Sequence, residues 1–393
     1  MLKLTNNNSE YNWNLWPLVP IYPYGQRRTI RKEIVKDTIW TFEQLQGIFY
    51  VVVPIRMTVV RLQSGGLLVY APVAPTKECL QLMAELVSQY GDVKYIILPT
   101  ASGLEHKVFV GPFARRFPQA QIFVAPGQWS FPINLPLTWL GLPGDRTTIL
   151  PKDSSQTVLA EEFDYLILGP ISLGIGKFTE VAFFHRQSRT LLLTDTIISI
   201  PLDPPAIARL DTYPLLFHAK DQATDVIEDH PINYRKGWQR IVLFSLYFQP
   251  HALNIRPWGL TWQDAQKAGD RTKKNYFGLY PFQWQENWQY SFELLRDNGR
   301  LLVAPILQTL ILNRASQETI NWVNQIAQWG FQSIIPCHFD VPINANSQQF
   351  RQAFSFLQPS LAPNNLPAID LQILQQIDEK LSKTGILPPP NLL

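Results

Sequence analysis

Cysteine is nearly absent from this chain, with Cys79 and Cys337 as its two examples among 393 residues. Two cysteines cannot build a disulfide framework, so we predict a reducing compartment and a cytoplasmic location. Long apolar runs are also lacking, because the longest, Leu301–Leu312, is shorter than the roughly 18 residues that a membrane-spanning helix needs. Residues 1–14 show no basic start followed by an apolar core, so no secretory signal is expected.

Excess charge of either sign is missing as well, since the formal net charge is +3. A charge this small does not indicate a nucleic-acid partner. The glycine fingerprints of phosphate and dinucleotide binding and the Gly-x-Ser-x-Gly nucleophile motif are also missing. Hydrophobic residues make up 46% and charged residues 17%, which provides a sizeable core and excludes global disorder.

Proline and tryptophan are abundant instead, with 32 and 12 residues. Proline fixes turns and favours long ordered loops, and tryptophan needs burial for its large aromatic faces. Residues 1–35 contain both types without a regular period, so we predict an extended N-terminal arm. Residues 198–300 hold five tryptophans and interrupt the pattern of the flanking segments, so we predict a large mixed insertion there.

Elsewhere, short apolar strands alternate with amphipathic helices. A hairpin is predicted over 57–70, because two apolar runs flank Gly65-Gly66. Strands over 93–99 and 121–125 enclose a helix that begins near Glu105. A C-terminal helix is predicted over 368–383 from its apolar stripe. Alternation of this kind predicts an α/β layered fold.

Three predicted strands end on residues that can carry chemistry. They supply two carboxylates and two imidazoles: Glu105, His106, Asp195 and His338. A sheet fixes such residues while the following loop exposes them, so chemistry is frequent at strand ends. We therefore expect these four side chains to converge at one edge of the sheets.

The segment Thr100–His106 resembles a motif of the metallo-β-lactamase fold, Thr-His-x-His-x-Asp-His, which follows an apolar strand there. The segment keeps the Thr and the last His, has Glu105 in place of the Asp, and has Ala101 and Gly103 in place of the first two histidines. The chain is therefore similar to a degenerate member of this fold, and most similar to the DUF4336 domain family. The resemblance covers about residues 45–345.

This resemblance implies a four-layer αββα sandwich of the metallo-β-lactamase type, interrupted by the tryptophan-rich insertion. It also implies a division of the chain. The predicted segments are an arm (1–35), the first part of the sandwich (36–197), the insertion (198–300), the last part of the sandwich (301–345) and a C-terminal helix with its tail (346–393).

The resemblance further implies that one of two metal sites is lost. The family holds one metal on three histidines, and here Ala101, Gly103 and the histidine-free stretch 174–177 stand at those positions. Asp195 matches the bridging Asp of the family, and His338 matches its final His. The second site keeps residue types that can bind a metal, so the resemblance implies one candidate single-metal site: Glu105, His106, Asp195 and His338.

Two functions follow from this partial site. The preferred one is a non-catalytic binding or assembly scaffold without a metal cofactor. The alternative is a mononuclear hydrolase of an ester, thioester or lactone, with one Zn²⁺ or Fe²⁺ ion and with Glu105 as the candidate general base. The expected partner is a protein or small-molecule ligand, no nucleic acid is expected, and peripheral membrane contact through tryptophan stays open.

The remaining histidines and cysteines are interpreted structurally. His185 is predicted in a surface turn, and His218, His230 and His251 are too far apart for a local metal motif. Cys337 beside His338 does not suggest a nucleophile pair, because adjacent residues on a strand point to opposite faces.

Overall fold

The computed structural model describes residues 10–15, 17, 21–101, 105–128, 136–174, 176–358 and 366–391. Fourteen strands lie within them: β1 (Ile30–Val35), β2 (Ile39–Ile48), β3 (Val51–Arg61), β4 (Leu67–Tyr70), β5 (Val93–Leu98), β6 (Gln121–Val124), β7 (Thr147–Ile149), β8 (Phe163–Ser172), β9 (Lys177–His185), β10 (Thr190–Leu192), β11 (Leu253–Ile255), β12 (Phe282–Trp284), β13 (Ser333–Ile335) and β14 (Ile343–Asn344).

The same residues form ten α-helices: α1 (Lys77–Tyr90), α2 (Glu105–Ala114), α3 (Tyr213–Ala219), α4 (Pro231–Tyr247), α5 (Trp258–Lys267), α6 (Trp288–Arg296), α7 (Pro305–Leu310), α8 (Ser316–Ile326), α9 (Ser347–Ala353) and α10 (Ala368–Lys383). None of the helices in the described part of the chain is both long and apolar enough to cross a membrane.

The strands form two main sheets and one small hairpin. The first sheet runs in the order β1-β2-β3-β4-β5-β6-β7, antiparallel up to β4 and parallel beyond it. The second runs β14-β13-β10-β9-β8, and in it β10 and β13 are parallel neighbours. Strands β11 and β12 pair with each other. Because β10 and β13 are parallel, the loops that follow them lie side by side at one sheet edge.

The two main sheets pack face to face. One buried apolar cluster joins Ile97 and Phe123 of the first sheet to Phe183, Leu192 and Ile335 of the second. Strands that are buried on both faces read as continuous apolar runs, which explains why the sequence shows little alternation in them.

Helices cover the outer face of each sheet. Helices α1 and α2 pack on the first sheet, with Met83 and Phe113 in the shared cluster. Helix α8 packs on the second sheet, where Trp322 lies in one cluster with Leu168. The arrangement is therefore α-β-β-α in four layers, and the fold class predicted from the sequence is confirmed.

The segment 198–300 contains α3 to α6 and the β11–β12 hairpin. Its residues Trp238 and Phe292 belong to the same buried cluster as Leu168 and Trp322, so this segment extends the core of the second sheet. At the other end, Trp13 packs edge-on against Phe109 of α2, with ring centroids 5.3 Å apart.

Several sequence predictions are confirmed at the level of elements, and one is wrong. Strands β3 and β4 form the predicted hairpin, α2 begins at Glu105, and α10 spans the predicted 368–383. His185 was predicted in a surface turn, but its side chain is fully buried at the end of β9. The reason is packing, because its ring lies 5.0 Å from the ring of Phe163 on the neighbouring strand β8.

Candidate metal centre

Three of the four predicted site residues meet at one edge of the two sheets. Nε2 of His338 lies 3.0 Å from Oε2 of Glu105 and 3.2 Å from Oδ1 of Asp195. One ligand atom from each residue lies within 4.8 Å of the others. Glu105 comes from the start of α2, Asp195 follows β10, and His338 follows β13. The sheet order explains the meeting, since the loops after β10 and β13 are neighbours.

The ring of His338 is fixed from behind by the backbone. Its Nδ1 donates a hydrogen bond to the carbonyl of Pro54, at 2.9 Å. Since a carbonyl can only accept, Nδ1 carries the proton and Nε2 is the atom that faces the two carboxylates. Histidines that bind metals are commonly oriented by a hydrogen bond of this kind from their other ring nitrogen.

Charge binds these three groups to one another. Burial lowers the pKa of His338, but the carboxylates of Glu105 and Asp195 outweigh it and raise the pKa well above its usual value. Burial raises the pKa of Glu105, but His338, His106 and a hydrogen bond from Gln46 together outweigh burial, so the net pKa of Glu105 is lowered. The edge is therefore an anionic pocket that attracts a cation: a proton on His338 offsets one of the two carboxylate charges, and a divalent metal ion would offset both.

His106 lies next to this group without joining the three ligand atoms. Its Nδ1 donates to the carbonyl of Pro72 at 3.0 Å, so its Nε2 is also left as the free ring nitrogen. That Nε2 is buried and has no hydrogen-bond partner among the described residues. Burial lowers the pKa of His106, which keeps the ring neutral. A buried neutral imidazole nitrogen with a free lone pair can act as a ligand for a cation.

Glu180, which the sequence analysis missed, holds the Asp195 turn in place. Its fully buried carboxylate accepts hydrogen bonds from the backbone N–H groups of Thr194, Asp195 and Thr196, at 2.9, 3.1 and 2.9 Å. The Thr196 hydroxyl adds a fourth, at 3.0 Å. Burial, and then the charge of Asp195, raise the pKa of Glu180 to about 7. The available signal was a lone acidic residue within the apolar strand β9.

Arg56 and Glu43 hold the His338 loop in a similar way. The guanidinium of Arg56 is 1% exposed and pairs with Glu43 at 2.8 Å. It also donates to the carbonyls of Pro336 and Phe339, which flank His338 on either side. Arg56 lies on β3 of the first sheet, so this contact ties the loop of the second sheet to the first. A charged pair inside otherwise apolar strands was again the signal in the sequence.

Cys337 is not a nucleophile in this arrangement. The thiol is fully buried, and burial together with the charge of Asp195 raises its pKa well above the usual value. A thiol of this kind stays protonated and inert. Of the other histidines, His218 is buried, and His230 caps the start of α4 by accepting from the N–H of Ile232.

The resemblance implies that the three-histidine metal site is lost. Protein groups occupy the part of that site for which the structure describes residues. Ala101 is fully buried, and its carbonyl accepts from Nζ of Lys107 at 2.6 Å. The side chain of Gln128 donates to the carbonyl of Thr100 at 2.8 Å, so the start of the loop after β6 covers this position. Gly103 lies outside the described residues.

The three converging residues fit one divalent ion. Two ligands in tetrahedral coordination at about 2.1 Å from a metal are about 3.4 Å apart, close to the two separations found around His338 Nε2. One imidazole and two carboxylates are donors that Zn²⁺ and Fe²⁺ both accept. The Nε2 of His106 is also buried, and Glu105, His338 and Asp195 are close enough to His106 to shift its pKa.

The four layers have the arrangement of the metallo-β-lactamase fold. A family profile described as "Domain of unknown function (DUF4336)" matches residues 36–356. The chain therefore belongs to the DUF4336 family, as the sequence analysis predicted. Comparison with curated protein sequences finds no match.

Solved structures of metallo-β-lactamases align with this chain at low identity. The DIM-1 enzyme is 10% identical with a TM-score of 0.39, and the alignment covers 84% of this chain and 99% of that one. The IND-7 enzyme is 9% identical with a TM-score of 0.37 and coverages of 83% and 98%. The enzyme from Pontibacter korlensis is 14% identical with a TM-score of 0.30 and coverages of 42% and 70%.

Proposed function

We propose that this protein binds one divalent metal ion, Zn²⁺ or Fe²⁺, through Glu105, Asp195 and His338, and hydrolyses an ester, thioester or lactone at that ion. One observation carries the proposal. Nε2 of His338 faces two carboxylates while Nδ1 is committed to the Pro54 carbonyl. This is how a protein prepares an imidazole for a metal, because the tautomer and the ring orientation are set before the ion arrives.

A bound ion would polarise the substrate carbonyl and promote the ionisation of water. The residues of the chain would do the rest. His338, Asp195 and one oxygen of Glu105 would hold the ion, with His106 as a further nitrogen beside them. The other oxygen of Glu105 would act as the general base, since a carboxylate at the rim of the pocket accepts a proton from water; its side chain is 32% exposed. The carboxylate of Glu180 would hold the turn that carries Asp195, and so would keep Asp195 in position to bind the ion.

The test is metal content joined to activity. Protein purified without chelator and then dialysed with Zn²⁺ or Fe²⁺ should carry one ion per chain by elemental analysis. The substitutions His338→Ala and Asp195→Asn should each lower metal affinity by about 100-fold or more, because the first removes a direct donor and the second replaces a carboxylate by a weakly coordinating neutral amide. Hydrolysis of a thioester and lactone panel should depend on the added ion and fall in the same variants.

His251→Gln is the matched control, since this exposed histidine lies outside the site. It should keep full metal content. Asparagine has nearly the same shape as aspartate, so a loss of metal binding in Asp195→Asn is not explained by misfolding. Circular dichroism checks that this variant is folded. Wild-type protein that takes up neither ion would contradict the proposal, and so would metal uptake that is equal in all variants.

A non-catalytic scaffold is the second candidate function. It is favoured by the buried Ala101 and by the side chains of Lys107 and Gln128, which bind the backbone where the resembling fold places the first of its three histidines. Without a metal, a protonated His338 between Glu105 and Asp195 would partly offset the negative charge of the two carboxylates. Metal-free wild-type protein with background hydrolysis in every condition would support this candidate.

A further inference from the structure

Large apolar side chains are exposed together on α5 and beside it. Trp258 and Trp262 are 71% and 61% exposed, and Phe277 is 60% exposed. At the turn between β2 and β3, Ile48 and Phe49 are 61% and 63% exposed. We call these five residues the aromatic face. Single exposed apolar residues are ordinary, but a group of this size, four of them large aromatics, marks an interaction surface.

The members of the aromatic face are connected through packing. The ring of Phe49 lies 5.8 Å from that of Tyr276, the neighbour of Phe277. The backbone at Gly278 is packed closely on Ala265 of α5. The β2–β3 turn, the segment after α5 and α5 itself are therefore in contact with one another.

The two tryptophans of the aromatic face, Trp258 and Trp262, lie on a folded helix. They lie one turn apart on α5, so they project from the same side of the helix. The start of α5 is anchored by the buried Thr261, whose hydroxyl donates to the carbonyl of Arg256 at 3.2 Å. Arg256 in turn pairs with Asp264 at 2.5 Å. Exposure of Trp258 and Trp262 is thus built into a folded helix and is not a property of a loose loop.

Positive charge adjoins the aromatic face. The stretch 267–274 contains four cations and one carboxylate, all exposed: Lys267, Asp270, Arg271, Lys273 and Lys274. The ammonium of Lys274 lies over the ring of Tyr213, at 4.1 Å. Exposed tryptophan next to a cluster of lysine and arginine is the combination that binds the interface of an anionic bilayer, because the rings enter the headgroup region and the cations meet the phosphates.

We propose that the aromatic face and the cationic stretch 267–274 bind the surface of an anionic lipid bilayer. The protein would lie on the membrane without crossing it. A second copy of the chain is the competing occupant, but four like charges beside the face would oppose each other across a symmetric contact, whereas anionic headgroups complement them.

Vesicle co-sedimentation of the full chain tests the proposal. Wild-type protein should bind vesicles of phosphatidylcholine with phosphatidylglycerol, bind much less to phosphatidylcholine alone, and be released by salt. The double variant Trp258→Ser/Trp262→Ser should weaken binding by about tenfold or more, because two large apolar faces no longer enter the interface. Lys267→Gln/Arg271→Gln/Lys273→Gln should remove the preference for phosphatidylglycerol.

Trp139→Ser is the matched control. Trp139 is 74% exposed and lies next to Gly141, which packs against α2 on the outer face of the first sheet. Its loss should leave vesicle binding unchanged, and all variants should unfold at the wild-type temperature. Absence of wild-type binding to phosphatidylglycerol vesicles would overturn the proposal, as would equal binding by the double tryptophan variant. A dimer in size exclusion that the double variant dissolves, without any lipid binding, would assign the face to a second copy.

Discussion

At the scale of single residues, the candidate metal centre depends on atoms that hold the ligands from behind. Pro54 and Pro72 supply carbonyls that fix His338 and His106, and Glu180 supplies a carboxylate that fixes the turn of Asp195. Residues of this kind carry no motif. His338 and Pro54 are 284 positions apart in the sequence, so no local pattern could connect them.

The substitution Glu180→Gln tests the importance of this support. An amide keeps one acceptor oxygen but places an NH₂ group against the N–H groups of the Asp195 turn, so hydrogen bonds to Thr194, Asp195 and Thr196 cannot all be kept. We expect the free energy of unfolding to fall by about 2 kcal/mol. We also expect metal affinity to fall by about 10- to 100-fold.

Chemical denaturation and a competitive metal titration measure the two effects. Glu161→Gln is the control, because Glu161 is an exposed residue just before β8. It should change neither quantity. Metal affinity that survives Glu180→Gln unchanged would show that the turn of Asp195 does not need this carboxylate.

At the scale of elements, sequence periodicity was sufficient where one face of an element is apolar. The helix over 368–383 and the β3–β4 hairpin are both found at the predicted positions. Prediction was weaker for 198–300, where aromatic residues and prolines mask any period and tertiary contacts decide the structure. His185 was misjudged because its burial depends on β8, a partner strand, and not on its own turn. The predicted segment boundaries at 36, 198, 301 and 346 stay predictions.

Arg56 shows how one element positions another. Its guanidinium leaves β3, pairs with Glu43 on β2 and donates to two carbonyls of the loop after β13. Arg56→Met would leave the buried carboxylate of Glu43 and both carbonyls without their donor. We expect the free energy of unfolding to fall by about 3–5 kcal/mol, as for other buried pairs that lose one partner.

Arg61→Met is the comparison for Arg56→Met, because Arg61 lies at the end of the same strand with an exposed side chain over the ring of Tyr90. This change should cost less than about 1 kcal/mol. Urea denaturation of both variants provides the measurement. Similar losses in the two variants would mean that the buried pair does not fasten the His338 loop.

At the scale of the whole molecule, the site is a product of the packing between two sheets. Glu105 is delivered by the first sheet through α2, and Asp195 and His338 are delivered by the second. Resemblance of a short motif could therefore identify the candidate residues, but only the packed sandwich decides that three of them meet and that His106 stands beside them. The aromatic face needed the fold too, because the sequence cannot tell a buried tryptophan from an exposed one.

Acid stability is the property of the whole molecule that the buried histidines control. Burial lowers the pKa of His218 to about 4, and likewise that of His185, whereas an unfolded histidine has a pKa of about 6.5. Between these two pKa values the unfolded chain binds more protons than the folded protein does. The stabilisation that the neutral buried histidines contribute is therefore complete above about pH 6.5 and is lost as the pH falls towards 4. From about pH 7 to 5, His218 alone should lower the free energy of unfolding by about 2 kcal/mol. His218→Gln should flatten that slope in urea titrations, and the exposed His251→Gln should not. A slope that is unchanged in His218→Gln would mean that this buried ring does not control the acid response.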